Sequence, residues 1–191
     1  MGPRKTLADA SAAASVLRER ELPTVVFRDA HNGDWDSVCA LNLSEVQFTS
    51  PMDRDRVQFL AQLASVFKVA VVDAVVAGFL IAMDDEAPYE NANFAWFRQR
   101  YANFIYVDRI VIHEAHRQLR LATALYTDLI ECAHRHGKRH LACEYNLSPP
   151  NDASARFHAR LGFGEVGRQS LAAGGKWVSM QWKDLQAPEA P

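Results

Sequence analysis

The chain has 191 residues, enough for one domain of ordinary size with a full core. Hydrophobic residues make up 49% and charged residues 23%, a globular rather than disordered composition, and the formal net charge of −2 leaves no global basic field to draw nucleic acid. No apolar run approaches the roughly 20 residues that span a bilayer, so neither nucleic acid nor a membrane is expected as a partner.

The opening MGPRKTLADASAAASV has no leucine-rich core, so no secretory signal is expected. Residues 1–22 read as an N-terminal extension, helical or loose. Residues 23–185 read as a single domain, and 186–191 (QAPEAP) as a disordered tail. The three cysteines, Cys39, Cys132 and Cys143, are widely spaced, with no CxxC pair. Buried reduced thiols in a cytoplasmic protein are the expectation.

Along the chain, Val25 to Arg28 is a short strand candidate. Asp34 to Val46 and Asp53 to Val66 carry apolar residues at helical spacing. Phe67 to Val72 and Val75 to Met83 are strand candidates whose Asp73-Ala74 link predicts a tight antiparallel hairpin. Asp84 to Ala102 is a polar and aromatic insert with Tyr89, Phe94, Trp96, Phe97 and Tyr101. It covers a cleft, forms the face of a homodimer, or builds a satellite core under a long loop. Asn103 to His113 is strongly β-prone, and Leu121 to His136 is an amphipathic helix with Gly137 at its end. Arg139 to Tyr145 is another strand. Asn151 to Leu161 is a short helix with an Asn N-cap and Gly162 past its end, and Phe163 to Arg168 and Lys176 to Trp182 form a closing pair. The order β α α β β β α β α β β predicts an α/β fold: a mixed, mostly antiparallel sheet flanked by helices, with one parallel pair made by the Tyr106 and Leu141 strands.

The sequence lacks GxGxxG, GxxxxGK[ST], HExxH and GxSxG, which argues against nicotinamide, P-loop, zinc-protease and serine-hydrolase chemistry, and no metal site is expected. Chemistry concentrates instead in the strand, loop and helix of residues 103–136. A helix opening at Arg120-Leu121-Ala122-Thr123 offers free N–H groups and partial positive charge to a phosphate, and small side chains let a ligand approach. The alternative is an ordinary crossover loop whose basic residues face water.

Two segments at this spacing, IVIHEAHRQLRLATAL and NDASARFHARLGF, resemble the motifs of the GNAT superfamily of acetyl-CoA-dependent N-acetyltransferases. The likeness covers about Phe27 to Asp184, and the strings YVDRIVI and CEYNLSPPN are similar to those of a bacterial subgroup. The resemblance implies an acyl-CoA N-acyltransferase fold and acetyl-CoA as cosubstrate. It implies that the strand Ile110, Val111 and Ile112 pairs with the pantetheine arm. Backbone N–H groups across Arg117, Gln118, Leu119, Arg120, Leu121, Ala122 and Thr123 would hold the pyrophosphate. Asn151 would touch pantetheine, or only cap its helix, and Arg156 would lie near the nucleotide. In two places the chain departs from the family pattern. Arg120 stands at the first loop glycine and is expected inside the helix, since a left-handed position would cost it on the order of 1 kcal/mol. His158 stands where the family usually has tyrosine, and is expected either to protonate the leaving thiolate or to cap or pack its helix.

The implied reaction is acetyl transfer to a primary amine of a small molecule or peptide by direct attack. It needs a base, because an alkyl amine with a pKa near 10 is mostly protonated at pH 7. Asp108, Glu144 and Glu45 are the candidates, with Tyr106 as a relay. An acyl-CoA sensor without turnover is the alternative function.

Overall fold

The computed structural model describes residues 22–171 and 175–185. The expected N-terminal extension, all but Leu22, and the expected tail lie outside the described residues.

The strands are β1 (Val25–Asp29), β2 (Val66–Val72), β3 (Val75–Asp84), β4 (Phe104–Ile112), β5 (His140–Ser148), β6 (Gly164–Leu171) and β7 (Lys176–Asp184). The helices are α1 (Trp35–Ser44), α2 (Arg54–Leu63), α3 (Ala92–Arg98), α4 (Leu121–Arg135) and α5 (Asp152–Arg160), with 3-10 turns at Asn32–Asp34 and Glu114–Leu119. The strands form one sheet in the order β1-β2-β3-β4-β5-β7-β6. Among the described residues only β4 and β5 run parallel.

The expected hairpin is present. Asp73 and Ala74 both take positive φ, 47° and 68°, the backbone of a two-residue turn whose twist suits the flanking strands. The Asp73 carboxylate accepts from the Thr24 backbone N–H at 2.9 Å, which offsets part of the strain of a turn without glycine. Two helices end as their glycines predict. Gly137 and Gly162 follow the last residues of α4 and α5 with φ of 68° and 82°, where a Cβ would be strained.

Each sheet face buries a core. On one face α1, α2 and α3 bring Val38, Val57, Leu60, Phe94 and Phe97 against Phe79, Ile81, Phe104 and Tyr106. On the other, α4 brings Leu121, Leu125 and Leu129 against Leu80, Ile105, Val107 and Leu141. The insert departs from the expectation of a long irregular loop, because it contains α3. Asn91 caps that helix through the N–H groups of Asn93 and Phe94. Tyr89, Phe94 and Phe97 are buried, and Trp96 and Tyr101 are partly buried against the same core. Desolvating five aromatic rings outweighs the polar character of the segment, so the insert is core.

Two irregularities in the sheet create a site. The parallel pairing of β4 with β5 covers only Phe104–Tyr106 against His140–Ala142, after which the strands part. In the same stretch the pairing of β3 with β4 jumps from Ile81↔Arg109 to Ala82↔Val107, leaving Asp108 as an extra residue. Such a bulge re-aims side chains, and here it turns both Asp108 and Arg109 to the α1–α3 face.

Candidate functional site

The parted strands open a cleft of about 970 Å³. It runs from the start of α4, between β4 and β5, to the loop that joins α1 and α2.

One side fits an extended, anionic ligand. Beyond Tyr106 the backbone of β4 has no β5 partner, so the edge at Ile110, Val111 and Ile112 is free to pair with an extended chain, and all three line the cleft. No side chain caps the start of α4. Its first N–H groups are therefore available to an anion, as the first turn of any uncapped helix is. Arg117, Arg120, Ala122 and Thr123 line the cleft there. Gln118 and Leu119 are exposed in the preceding 3-10 turn and Leu121 is buried under α4, and none of these three lines the cleft. Asn151 lines the cleft and also caps α5, its side chain accepting from the Ser154 N–H at 3.0 Å. Arg156 is exposed and does not line the cleft, whereas Arg160, one turn on, does.

Arg120 corrects an expectation. It precedes α4 in the left-handed region, φ 55° and ψ 26°, rather than lying within the helix. The tight connection from the 3-10 turn into α4 needs that conformation, which glycine adopts without a Cβ clash. Arg120→Gly is therefore expected to stabilise the fold by about 1 kcal/mol, read as a higher urea midpoint at unchanged slope. A lower midpoint would show that the arginine side chain itself supports the fold.

Of the two expectations, the structure matches the packed one for His158. It is 3% exposed, with Nδ1 2.9 Å from the Ser154 carbonyl and Nε2 2.8 Å from the Tyr126 hydroxyl. A carbonyl can only accept, so Nδ1 carries the proton and Nε2 receives the Tyr126 O–H. Burial lowers the imidazole pKa to about 4, so the ring is neutral at pH 7. Its one N–H is committed to Ser154 and none remains for a thiolate. The neighbouring Tyr126 hydroxyl, which lines the cleft, was not legible as a site group because its spacing on α4 is that of a core residue.

The other side of the cleft holds the carboxylates. Glu144 lies on β5 where the strands part. The Tyr106 hydroxyl donates to its Oε1 and Oε2 at 3.0 and 2.9 Å, and Asn93 Nδ2 donates to Oε1 at 2.7 Å. Gln169 Nε2 in turn fixes Asn93 through Oδ1 at 2.8 Å. Desolvation lifts the Glu144 pKa to about 8, against the pull of the Tyr106 and Asn93 hydrogen bonds, with the Asp108 charge adding to the rise. Asp108 is spoken for: Tyr89 donates to its Oδ1 at 2.5 Å and Arg109 Nε to its Oδ2 at 2.6 Å, with the side chain 2% exposed. Arg109 reaches on to Asn42 and the Ser50 carbonyl, tying the floor of the site to α1 and the loop after it. Glu45 lines the cleft from the end of α1 and is ion-paired at 2.5 Å with Arg117 across it. Asn93 and Tyr89 were missed from the sequence, because α3 lies inside a segment that reads as aromatic packing.

Among the described residues no three His, Cys, Asp or Glu side chains gather as metal ligands, and no helix is long and apolar enough to cross a membrane.

Comparison with known structures returns the same architecture. Ard1 from Thermoplasma volcanium superposes with a TM-score of 0.70 at 15% identity, covering 85% of this chain and 98% of that one. yncA from Salmonella typhimurium, solved with its cofactor acetyl-CoA, gives 0.65 at 20% identity over 88% and 98%. The ribosomal-protein-S18-alanine N-acetyltransferase of Escherichia coli gives 0.61 at 14% identity over 88% and 99%. At these identities the likeness shows the fold alone. No curated protein matches the chain significantly by sequence. The family model described as Acetyltransferase (GNAT) family matches residues 34–163, from α1 through the end of the α5 turn. The chain therefore belongs to the GNAT acetyltransferase family, enzymes that use acetyl-CoA.

Proposed function

We propose that the protein transfers the acetyl group of acetyl-CoA to a primary amine of a small molecule or peptide by direct attack, with Glu144 as the base. The observation that carries this reading is the two-sided cleft. A free strand edge and an uncapped helix start face one way, and a carboxyl group with its pKa raised to about 8 faces the other. A base is most effective when its pKa lies near the working pH. Glu144 meets that condition. Both carboxylates line the cleft, but Asp108 is ion-paired with the Arg109 guanidinium, whereas Glu144 is held only by the neutral donors Tyr106 and Asn93. Asp108 is a positioning residue, which orients Arg109 and Tyr89 and raises Glu144.

In this scheme Glu144 takes the proton that makes the acceptor ammonium a neutral amine. The nitrogen lone pair attacks the thioester carbonyl carbon, and the C–S bond breaks with its electron pair on sulphur. The second nitrogen proton passes to water as the amide forms, and the thiolate takes one from water. His158 supplies none. Burial pushes the Tyr126 hydroxyl well above its usual pKa, so it keeps its proton and lines the cleft as a neutral hydroxyl that donates to His158. Three unpaired cysteine thiols support a cytoplasmic setting.

The test is free-thiol release from acetyl-CoA across a panel of primary amines, with the acetylated amine identified by mass. Amine-dependent release is expected. Thermal stabilisation by CoA with no turnover on any amine would instead establish an acyl-CoA sensor.

A further inference from the structure

Glu144 does not stand alone on its wall of the cleft. Side chains two apart on a strand share a face, so Asn146 projects on the same side of β5 as Glu144. Asn146 is paired directly with Val178 of β7, and Lys176, two residues before Val178, shares that face. All four line the cleft.

Two of these residues have unused recognition capacity. Asn146 is 7% exposed, and its Nδ2 has no hydrogen-bond partner among the described residues. A buried amide donor left unsatisfied is costly, and native structures keep such groups where something else completes them. Lys176 is partly buried at the start of β7. Its only polar contact among the described residues is the Gln47 backbone carbonyl at 3.4 Å, and no carboxylate lies within ion-pair distance. On the same side of the cleft Arg109 is already paired with Asp108.

The spacing constrains what the two donors receive. Alternate residues on a strand lie about 6.6 Å apart. A small ligand that contacts both Glu144 and Asn146 through hydrogen bonds of about 2.9 Å therefore carries its two polar groups a few bonds apart, as an α-amino acid does. The group facing Glu144 is a cationic amine. The group facing Asn146 and Lys176 accepts hydrogen bonds and carries negative charge.

We propose that Asn146 Nδ2 and Lys176 Nζ form a carboxylate subsite, and that the acceptor is a free α-amino acid whose amine faces Glu144. This rests on the acetyltransferase reading above and specifies its substrate class. The aliphatic neighbours Val178 and Leu171, which also line the cleft, face the rest of the acceptor.

The experiment compares three series under acetyl-CoA: α-amino acids, the same amino acids as carboxamides, and the corresponding decarboxylated amines. Amino acids are expected to give kcat/KM at least roughly tenfold above their carboxamides and further above the decarboxylated amines, the scale of a hydrogen bond to a charged group. Lys176→Gln and Asn146→Leu are each expected to raise KM for the amino acid about tenfold or more, with little change in kcat and no loss for the decarboxylated amine. An unchanged CoA-induced thermal shift in both variants confirms that they fold. Equal turnover of all three series, or variants that lower every series alike, would overturn the carboxylate subsite while leaving the acetyltransferase reading intact. No thiol release in any series overturns both.

Discussion

Glu144→Gln is expected to lower kcat/KM for acetyl transfer by roughly 10²- to 10⁴-fold, the range that a positioned general base supplies. Glutamine keeps the shape and accepts from Tyr106 and Asn93, but takes no proton. In the wild type kcat/KM is expected to rise with pH and level off above about 8, as the Glu144 carboxyl ionises. The variant loses that limb. Stability supplies a second readout of the same group. Its folded pKa of about 8 stands above the ordinary carboxyl value of 4.5, so the protonated form is favoured by folding. The resulting stabilisation is complete below the unfolded value and is lost as pH rises through 8. The variant is therefore expected to gain on the wild type in urea unfolding as pH moves from 5 to 9. A rate and a pH limb unchanged in Glu144→Gln would move the base to Asp108, Glu45 or water.

Ala122→Glu is expected to abolish CoA binding. Ala122 lies in the first turn of α4 and lines the cleft, so a carboxylate there meets the pyrophosphate. CoA at about 100 times its dissociation constant stabilises the wild type by roughly 2.7 kcal/mol, several degrees for a domain of this size. The variant is expected to show no shift. It should still fold, because an acidic side chain near a helix start interacts favourably with the helix dipole by about 0.3 to 1 kcal/mol. Unchanged calorimetric affinity for CoA in the variant would remove the start of α4 from the binding site.

The fold was legible because each of its signals is local. The Asp73-Ala74 link, the asparagine before α5, Gly137 and Gly162 each act over a few residues, and the structure uses each as its chemistry predicts. The parallel pair of Tyr106 and Leu141 strands followed from one strand–helix–strand connection. The insert was legible only in part. Five aromatics announced burial, but not that α3 would bring Asn93 within 2.7 Å of Glu144, 51 residues away in sequence.

The sequence by itself determined the order of elements apart from α3, the segment that opens α4, and the identity of the cleft strands, since hydrophobic period, caps and motif spacing are short-range properties. Only the tertiary structure decided what the polar groups do. His158 stands at a position that suggested a proton donor, yet Ser154 and Tyr126 leave its ring no free N–H. Asp108 and Glu144 read as equivalent bases, yet Arg109 and Tyr89 close around one while desolvation lifts the other to about pH 8. Arg120 read as helical, yet the connection into α4 holds it left-handed. The cause is the same in each case: protonation, donor direction and backbone strain depend on partners and solvent exclusion that chain folding brings from distant segments, and no local spacing encodes them.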